Sequence, residues 1–214
     1  MSTPLVVVGA GGFGRETLDV VEAINGALPE PTFELVGVVD ANPSAENIAR
    51  LTARGTSYLG TDSAWLAGGN RAQYLIGVGS PKARRRVDDA FRAAGLIAAV
   101  AIHPSAIIGS MAKIGAGSVI CGGVQVSTNV TLGRHVHLNP NATVGHDSVL
   151  NDFVSINPAA TISGEVVVGT GTLVGAGAVV LQGLSLGEGA LIGASACVIR
   201  NVVDYAVVKG VPAA

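Results

Sequence analysis

Charge is scarce in this 214-residue chain: Asp, Glu, Lys and Arg together make up 13% of it, and the formal net charge is −2. No basic field exists to hold a nucleic acid or an anionic membrane surface, so neither is an expected partner. Cysteine is scarcer still. Cys121 and Cys197 lie far apart with no CxxC between them, which gives neither a disulfide framework nor a zinc site. Both read as packing residues and fit a reducing, cytoplasmic setting. Long apolar runs are missing too, and nothing approaches the length of a membrane span. Met1 to Pro4 leads straight into an apolar strand without a basic leader or a cleavage pattern, so no secretory signal is expected. What remains is 49% hydrophobic, ample for a core in one large domain or two small ones.

The second half repeats. Stepping by six from Ile102, the residues are Ile102, Ile108, Ile114, Ile120, Val126, Leu132, Leu138, Val144, Leu150, Ile156, Ile162, Val168, Val174, Val180, Leu186, Ile192 and Val198, all aliphatic and without an insertion. Four residues after each, from Ala106 to Ala196, stands Ala, Ser, Thr or Val, with Leu184 the exception. The residue just after the aliphatic one is often Gly or Asn, as at Gly109, Gly115, Gly133, Asn139, Gly145, Asn151 and Asn157, which places the positive-φ corners there. A period of six with one large and one small inward residue is the signature of a hexapeptide parallel β-helix. Three hexads close a triangular coil of about 18 residues, each about 4.8 Å above the last, giving a little over five coils. A β-sandwich would show period-two strands of varied length instead.

The first half alternates strand and helix. An apolar strand at Leu5 to Val8 runs into a glycine turn in which Gly9, Gly11 and Gly14 satisfy G-x-G-x-x-G, with Gly12 and Phe13 between, and an amphipathic helix follows. A second strand, FELVGVVD, ends in Asp40, near where a ribose-binding acid falls in such folds. AQYLIGVGS supplies a third strand, PKARRRVDDAFRAAG a helix opened by Pro81, and LIAAVAI a short fourth strand. The expectation is a Rossmann-like α/β domain at 1–100 followed by an all-β parallel helix at 101–214. The glycine turn suits phosphates at a helix N-terminus, or else only tight strand-helix packing. Asp40 accepts from a base or ribose, or is a solvated strand-end acid. Lys82, Arg84, Arg85 and Arg86 either touch phosphate or form the wet face of their helix.

The combination of VVVGAGGFGRE, the entry IHPSAIIG, an unbroken hexapeptide array and the closing VVKGVPA resembles the bacterial hexapeptide-repeat sugar acyltransferases: the UDP-amino-sugar N-acetyltransferases of bacillosamine and perosamine type and the sialic-acid O-acetyltransferases. The resemblance covers essentially the whole chain. It implies a left-handed β-helix, a homotrimer, a nucleotide sugar held by the N-terminal domain through Gly9, Gly11, Gly12, Phe13, Gly14 and Asp40, and acetyl-CoA as co-substrate in a cleft between neighbouring helices. It implies a catalytic histidine followed by an acid, which His146 and Asp147 match, and acetyl-CoA or acceptor contacts at Asn139, Ser155, Gly164, Gly193 and Ala194. Asn139 is equally an αL corner residue, and the glycines are equally plain corners. Some amino-sugar members carry a second histidine where Ser155 stands, and the family's turn often has a histidine where Phe13 stands.

His146 falls two residues after the inward Val144, at a corner free of the core, where Asp147 can orient the imidazole. A base with pKa near neutrality suits removal of a proton from an amine or hydroxyl attacking a thioester. The expected reaction is transfer of an acetyl group to the amino group of a nucleotide-linked sugar, with O-acetylation as the alternative. His135 and His137 flank the inward Val136, so both are expected to point outward on a flat face, exposed or at an interface. A γ-carbonic-anhydrase-like metal site is a poorer fit because 135, 137 and 146 lack that family's ligand spacing, and no metal is expected. A non-catalytic trimeric nucleotide sensor is the remaining alternative.

Overall fold

A computed structural model describes residues 2–214. The chain divides into two compact units after Ala101. In the first, strand β1 (Thr3–Val8), helix α1 (Gly12–Gly26), strand β2 (Phe33–Val39), helices α2 (Ala45–Ala53) and α3 (Asp62–Ala67), strand β3 (Gln73–Ile76) and helix α4 (Pro81–Ala93) follow in order. The three strands are parallel in the order β2-β1-β3, so the C-terminal end of β1 lies between its two neighbours. A ligand crevice belongs at that end. The apolar run Leu5 to Val8 is buried on both faces, as a central parallel strand requires.

Two local expectations are corrected here. LIAAVAI does not form a full fourth strand of this sheet: it adds the bridge Tyr74 to Ala98, while Val38 and Tyr58 bridge at the opposite edge. Residues 41–72 hold both α2 and α3, each opened by a hydroxyl cap: the Ser44 and Thr61 side chains accept from Asn47 N and Ala64 N. Arg84 is not on a wet helix face. It is fully buried, donates to the carbonyls of Val78 and Gly79 at 2.9 and 3.2 Å, and burial pushes its guanidinium down to about 9. Helix α4 turns that side toward the loop after β3, and those carbonyls draw the arginine in.

The second unit is a parallel β-helix of two-residue strands on three flat faces. The first face runs from Ala101–Ile102 to Val207–Val208, the second from Ile107–Ile108 to Cys197–Val198, and the third from Lys113–Ile114 to Ser185–Leu186. Within the array strands pair in register with the residues 18 before and after, as His137 with Val119 and Ser155, the last pair, Leu191 with Val207, being 16 apart; the coils make about six turns. The stepped aliphatic residues fill the axis: Ile120, Leu138 and Ile156 stack fully buried one above another, as do Val144 and Ile162. Each such side chain contributes roughly 1.5–3 kcal/mol by leaving water.

The positive-φ residues lie two places later than the sequence suggested. They recur every six residues at Met111, Gly117, Gly123, Asn129, His135, Asn141, Asp147 and Phe153 and onward, three after each inward aliphatic residue. The glycines one after it answer a different need, which is close approach of the next coil: a Cβ on Gly115 would sit 2.4 Å from the carbonyl carbon and oxygen of Gly133. Asn139 is therefore not the αL residue of its corner. Asn141 is, while Asn139 is largely buried with its amide donating to Ile156 O at 2.9 Å.

His135 and His137 are both buried rather than exposed. His135 occupies the αL position of its corner, under the bare Cα of Gly117 and stacked on Phe153 with ring centroids 5.4 Å apart and planes within 3°. His137 does lie on the outward side of its strand, but that stretch of the first face is covered: Val119, His137 and Ser155, in one outward row, are all buried. Alternation fixes which way a side chain points and not whether that face meets water.

Candidate active site

The corner joining the second face to the third carries His146. Val144 ends one two-residue strand and Val149 begins the next, so residues 145–148 must turn the chain, and Ser148 Oγ anchors the turn by donating to Ser163 O at 3.0 Å and accepting from Val166 N at 3.2 Å. His146 and Asp147 are pushed outward, their side chains 56% and 46% exposed. Asp147 takes the αL conformation at φ 59°, which a short polar side chain tolerates. That conformation brings Asp147 Oδ2 to 2.7 Å from His146 Nδ1. Its other oxygen, Oδ1, accepts from Asn129 Nδ2, one coil below, at 2.9 Å. The Asn129 amide first and the His146 imidazole second hold the Asp147 carboxyl below its ordinary range.

The ring packs against bare backbone. A Cβ on Gly164, one coil above His146, would fall 2.6 Å from both Cε1 and Nε2 of the imidazole, so the ring lies flat against a bare Cα. An ionised Asp147 favours the proton on Nδ1, which leaves Nε2 as the acceptor of the neutral ring. An imidazole held in this way is chemically able to take up a proton from a bound group. Gly164, expected at the co-substrate, has its open side against the His146 ring. Asn129 was not among the expected site residues, although it stands one 18-residue coil before Asp147.

The other expected site residues do not gather around His146 within one chain. Asn139, Gly193 and Ala194 lie on a different edge of the prism, the one joining the first face to the second, with Ala194 exposed and Gly193 half-buried. Ser155 is buried on the first face, beside His137. The histidines do not converge either: His135 turns the corner between the third face and the first, His137 sits on the first face, and His146 is one corner away from both. Among the described residues no group of three His, Cys, Asp or Glu side chains is placed to hold a metal ion.

The N-terminal unit holds a crevice of its own at the C-terminal end of β1, about 390 Å³, lined in part by Gly9, Asp40, Asp62, Val78 and Arg86. Of the residues expected at the nucleotide, Gly9 and Asp40 line it, while Gly11, Gly12, Phe13 and Gly14 stand on the adjoining turn and first helical turn. The glycines of that turn split into two kinds. Gly9 (φ 114°) and Gly14 serve packing, because a Cβ on Gly14 would fall 1.8 Å from Gly9 O. Gly11 and Gly12 have no such reason: a Cβ at either would meet nothing within 4 Å, and Gly11 has an ordinary negative φ. Bare backbone with open space in front of it, at the N-terminus of a 15-residue helix whose cap has no side-chain bond, is suited to an anionic ligand. Asp40 accepts from Ala10 N at 2.7 Å and Asn42 N at 2.9 Å, so it pins the turn with one oxygen and its own loop with the other. Arg15 braces the turn from outside, donating to Ala10 O and Asn47 Oδ1. Phe13 stands half-buried on the first turn of α1. Arg86, one of the basic run offered for phosphate contact, lines the crevice, and Asp62, which the sequence did not single out, adds a charge of the opposite sign.

Residues 4–91 match the family described as the PglD N-terminal domain. Over 148 residues, 69% of this chain, the sequence is 30% identical to the GDP-perosamine N-acetyltransferase of Escherichia coli O157:H7. The matched region spans 64% of that curated relative, a little under two thirds of its length. Among solved structures, the acetyltransferase domain of PglB from Neisseria gonorrhoeae FA1090 is 29% identical with a TM-score of 0.86, the match covering 100% of this chain and 99% of that one. That domain has also been solved in complex with acetyl coenzyme A. PerB from Caulobacter crescentus, solved with CoA and GDP-perosamine, is 26% identical with a TM-score of 0.87, covering 99% and 96%. The first unit thus matches the PglD N-terminal domain, and the chain as a whole is similar to the hexapeptide-repeat sugar N-acyltransferases. Its β-helix is the left-handed form of that family, and no helix among the described residues is long and apolar enough to cross a membrane.

Proposed function

We propose that this protein transfers the acetyl group of acetyl-CoA to the amino group of a sugar carried on a nucleoside diphosphate, with His146 as the general base. The observation that carries the reading is the imidazole itself: accessible, seated against Gly164, and held at Nδ1 by an ionised Asp147 so that Nε2 is free to accept a proton. The relatives support the substrate class, being named for transfer to perosamine or solved with CoA and GDP-perosamine.

The step is direct. The sugar amine attacks the thioester carbonyl, His146 Nε2 accepts the proton the nitrogen sheds, the tetrahedral oxyanion collapses, and the C–S bond breaks to release CoA, whose sulfur takes up the proton. Asp147 stabilises the imidazolium that forms meanwhile. No acyl-enzyme is needed; Cys121 is buried and Cys197 lies on the second face, away from the His146 corner. The nucleotide is assigned to the crevice of residues 1–100, its phosphates against Gly11 and Gly12, with Phe13 beside them, Gly9 and Gly14 shaping the turn, and Asp40 holding it open. Residues 101–214 supply the acyl transfer.

The separation of His146 from Asn139, Gly193 and Ala194 on two edges of one prism fits a homotrimer. Neighbouring copies would set one copy's His146 edge against another's Asn139 edge, closing an acetyl-CoA cleft between them. The test is release of free CoA from acetyl-CoA with GDP-, UDP- and dTDP-linked amino sugars and with sialic acid, the acetylated atom then being located by NMR. Acetyl on nitrogen of one nucleotide sugar supports the reading. Turnover of sialic acid alone makes the protein an O-acetyltransferase, and no turnover with no acetyl-CoA binding ends the transferase reading.

A further inference from the structure

We propose that Asn129 is a positioning residue for the base: its side-chain amide, one coil below the catalytic corner, fixes the Asp147 carboxylate so that only the Nδ1–H tautomer of His146 is held. This rests on the general-base reading of His146. Asn129, Asp147 and His146 form a continuous chain of two bonds, Asn129 Nδ2 to Asp147 Oδ1 at 2.9 Å and Asp147 Oδ2 to His146 Nδ1 at 2.7 Å. Asp147 is half exposed, and a carboxylate on a freely turning bond spreads its acceptor directions over several rotamers. A donor on one oxygen removes that freedom and aims the other at the imidazole. The fold makes the donor's place rigid. Asn129 and Asp147 occupy the same αL position on successive coils, both at φ 59°, and backbone bonds Asn129 N to Ser110 O and Asp147 N to Thr128 O lock the two corners at 3.0 and 3.1 Å.

The αL conformation alone gives Asn129 a structural reason to exist, and the two roles separate cleanly in substitution. Glycine suits φ 59° better than asparagine but has no amide. Aspartate keeps the shape and the tolerance of αL but sets a second carboxylate against Asp147. A merely structural Asn129 therefore predicts that Asn129→Gly is as stable and as active as the wild type. The positioning role predicts the same or higher thermal stability with kcat lower by about tenfold, a fraction of what general-base catalysis supplies, at unchanged KM for acetyl-CoA. For Asn129→Asp it predicts an acid limb of the pH-rate profile displaced upward, because like charges raise the proton affinity of the pair.

The readout that does not need turnover is the tautomer of His146, read from the imidazole nitrogen shifts of labelled protein. The expected result is an Nδ1–H imidazole in the wild type and a shift toward Nε2–H in Asn129→Gly, since the tautomer follows the bond the other nitrogen makes. An unchanged tautomer in Asn129→Gly overturns the proposal. If the tautomer shifts while the wild type transfers no acetyl group to any acceptor, the functional reading falls and the positioning of His146 stands.

Discussion

Replacing Gly164 by alanine separates the two jobs that residue can have. A Cβ there would sit 2.6 Å from Cε1 and Nε2 of His146, against about 3.5 Å for a comfortable carbon contact. The ring must retreat by roughly 1 Å, and misplacement of that size at a reacting group is worth about a hundredfold in rate, or about 2.7 kcal/mol of barrier. The fold feels little of this. The imidazole is 56% exposed and swings toward solvent rather than straining the coil, while Gly164 has no positive φ to preserve. The loss of chain entropy in the unfolded state even favours alanine by about 0.4–1 kcal/mol. Steady-state CoA release, with thermal unfolding as the control, is therefore expected to show kcat down about a hundredfold, KM for acetyl-CoA unchanged and Tm within a few degrees of wild type. A wild-type kcat would refute the seating of the ring against Gly164. A raised KM for acetyl-CoA at full kcat would assign Gly164 to the pantetheine arm instead.

Gly115→Ala is the opposite case: its new Cβ would lie 2.4 Å from backbone atoms of Gly133 that cannot step aside. A loss of about 1–3 kcal/mol is expected, seen as a Tm lower by roughly 2–4 °C per kcal/mol, with kcat intact below the transition. For Asp147 the sign follows from its depressed native pKa: its contribution to stability is complete above the ordinary aspartate range and disappears as pH falls through the native value. The stabilisation that the Asp147 carboxylate gives over Asp147→Asn should accordingly be present above about pH 5 and close as the pH falls below about pH 4.

The solenoid was legible because one constraint, an aliphatic residue every six positions, is imposed by the axis alone and owes nothing to the rest of the molecule. The same register told that His146 is outside the core, and the neighbouring acid followed from the sequence. What the repeat does not encode is what lies over a face. Asn129 was readable in principle, by stepping back one coil from Asp147. The burial of His137 was not, since a period says which side a residue faces and nothing about what covers that side. The glycines one after each aliphatic residue misled about φ because glycine answers two needs, positive φ and close approach, and only backbone coordinates tell Gly115 from Gly117. In the first unit, G-x-G-x-x-G marked the turn, yet its members divide between packing (Gly9, Gly14) and open space (Gly11, Gly12). Arg84 shows the limit of reading charge as exposure: of four basic residues in five, Lys82, Arg85 and Arg86 are exposed while Arg84 turns inward to two backbone carbonyls.

The central claim is that His146 removes the proton from the sugar amine during direct transfer from acetyl-CoA. Comparing kcat/KM of the wild type and His146→Ala on the best amino-sugar acceptor, with acetyl-CoA saturating and folding checked by thermal unfolding, tests it most directly. The account predicts a loss of about 10²–10⁴-fold in a variant that still folds and still binds acetyl-CoA; a variant that transfers acetyl at the wild-type rate would contradict it.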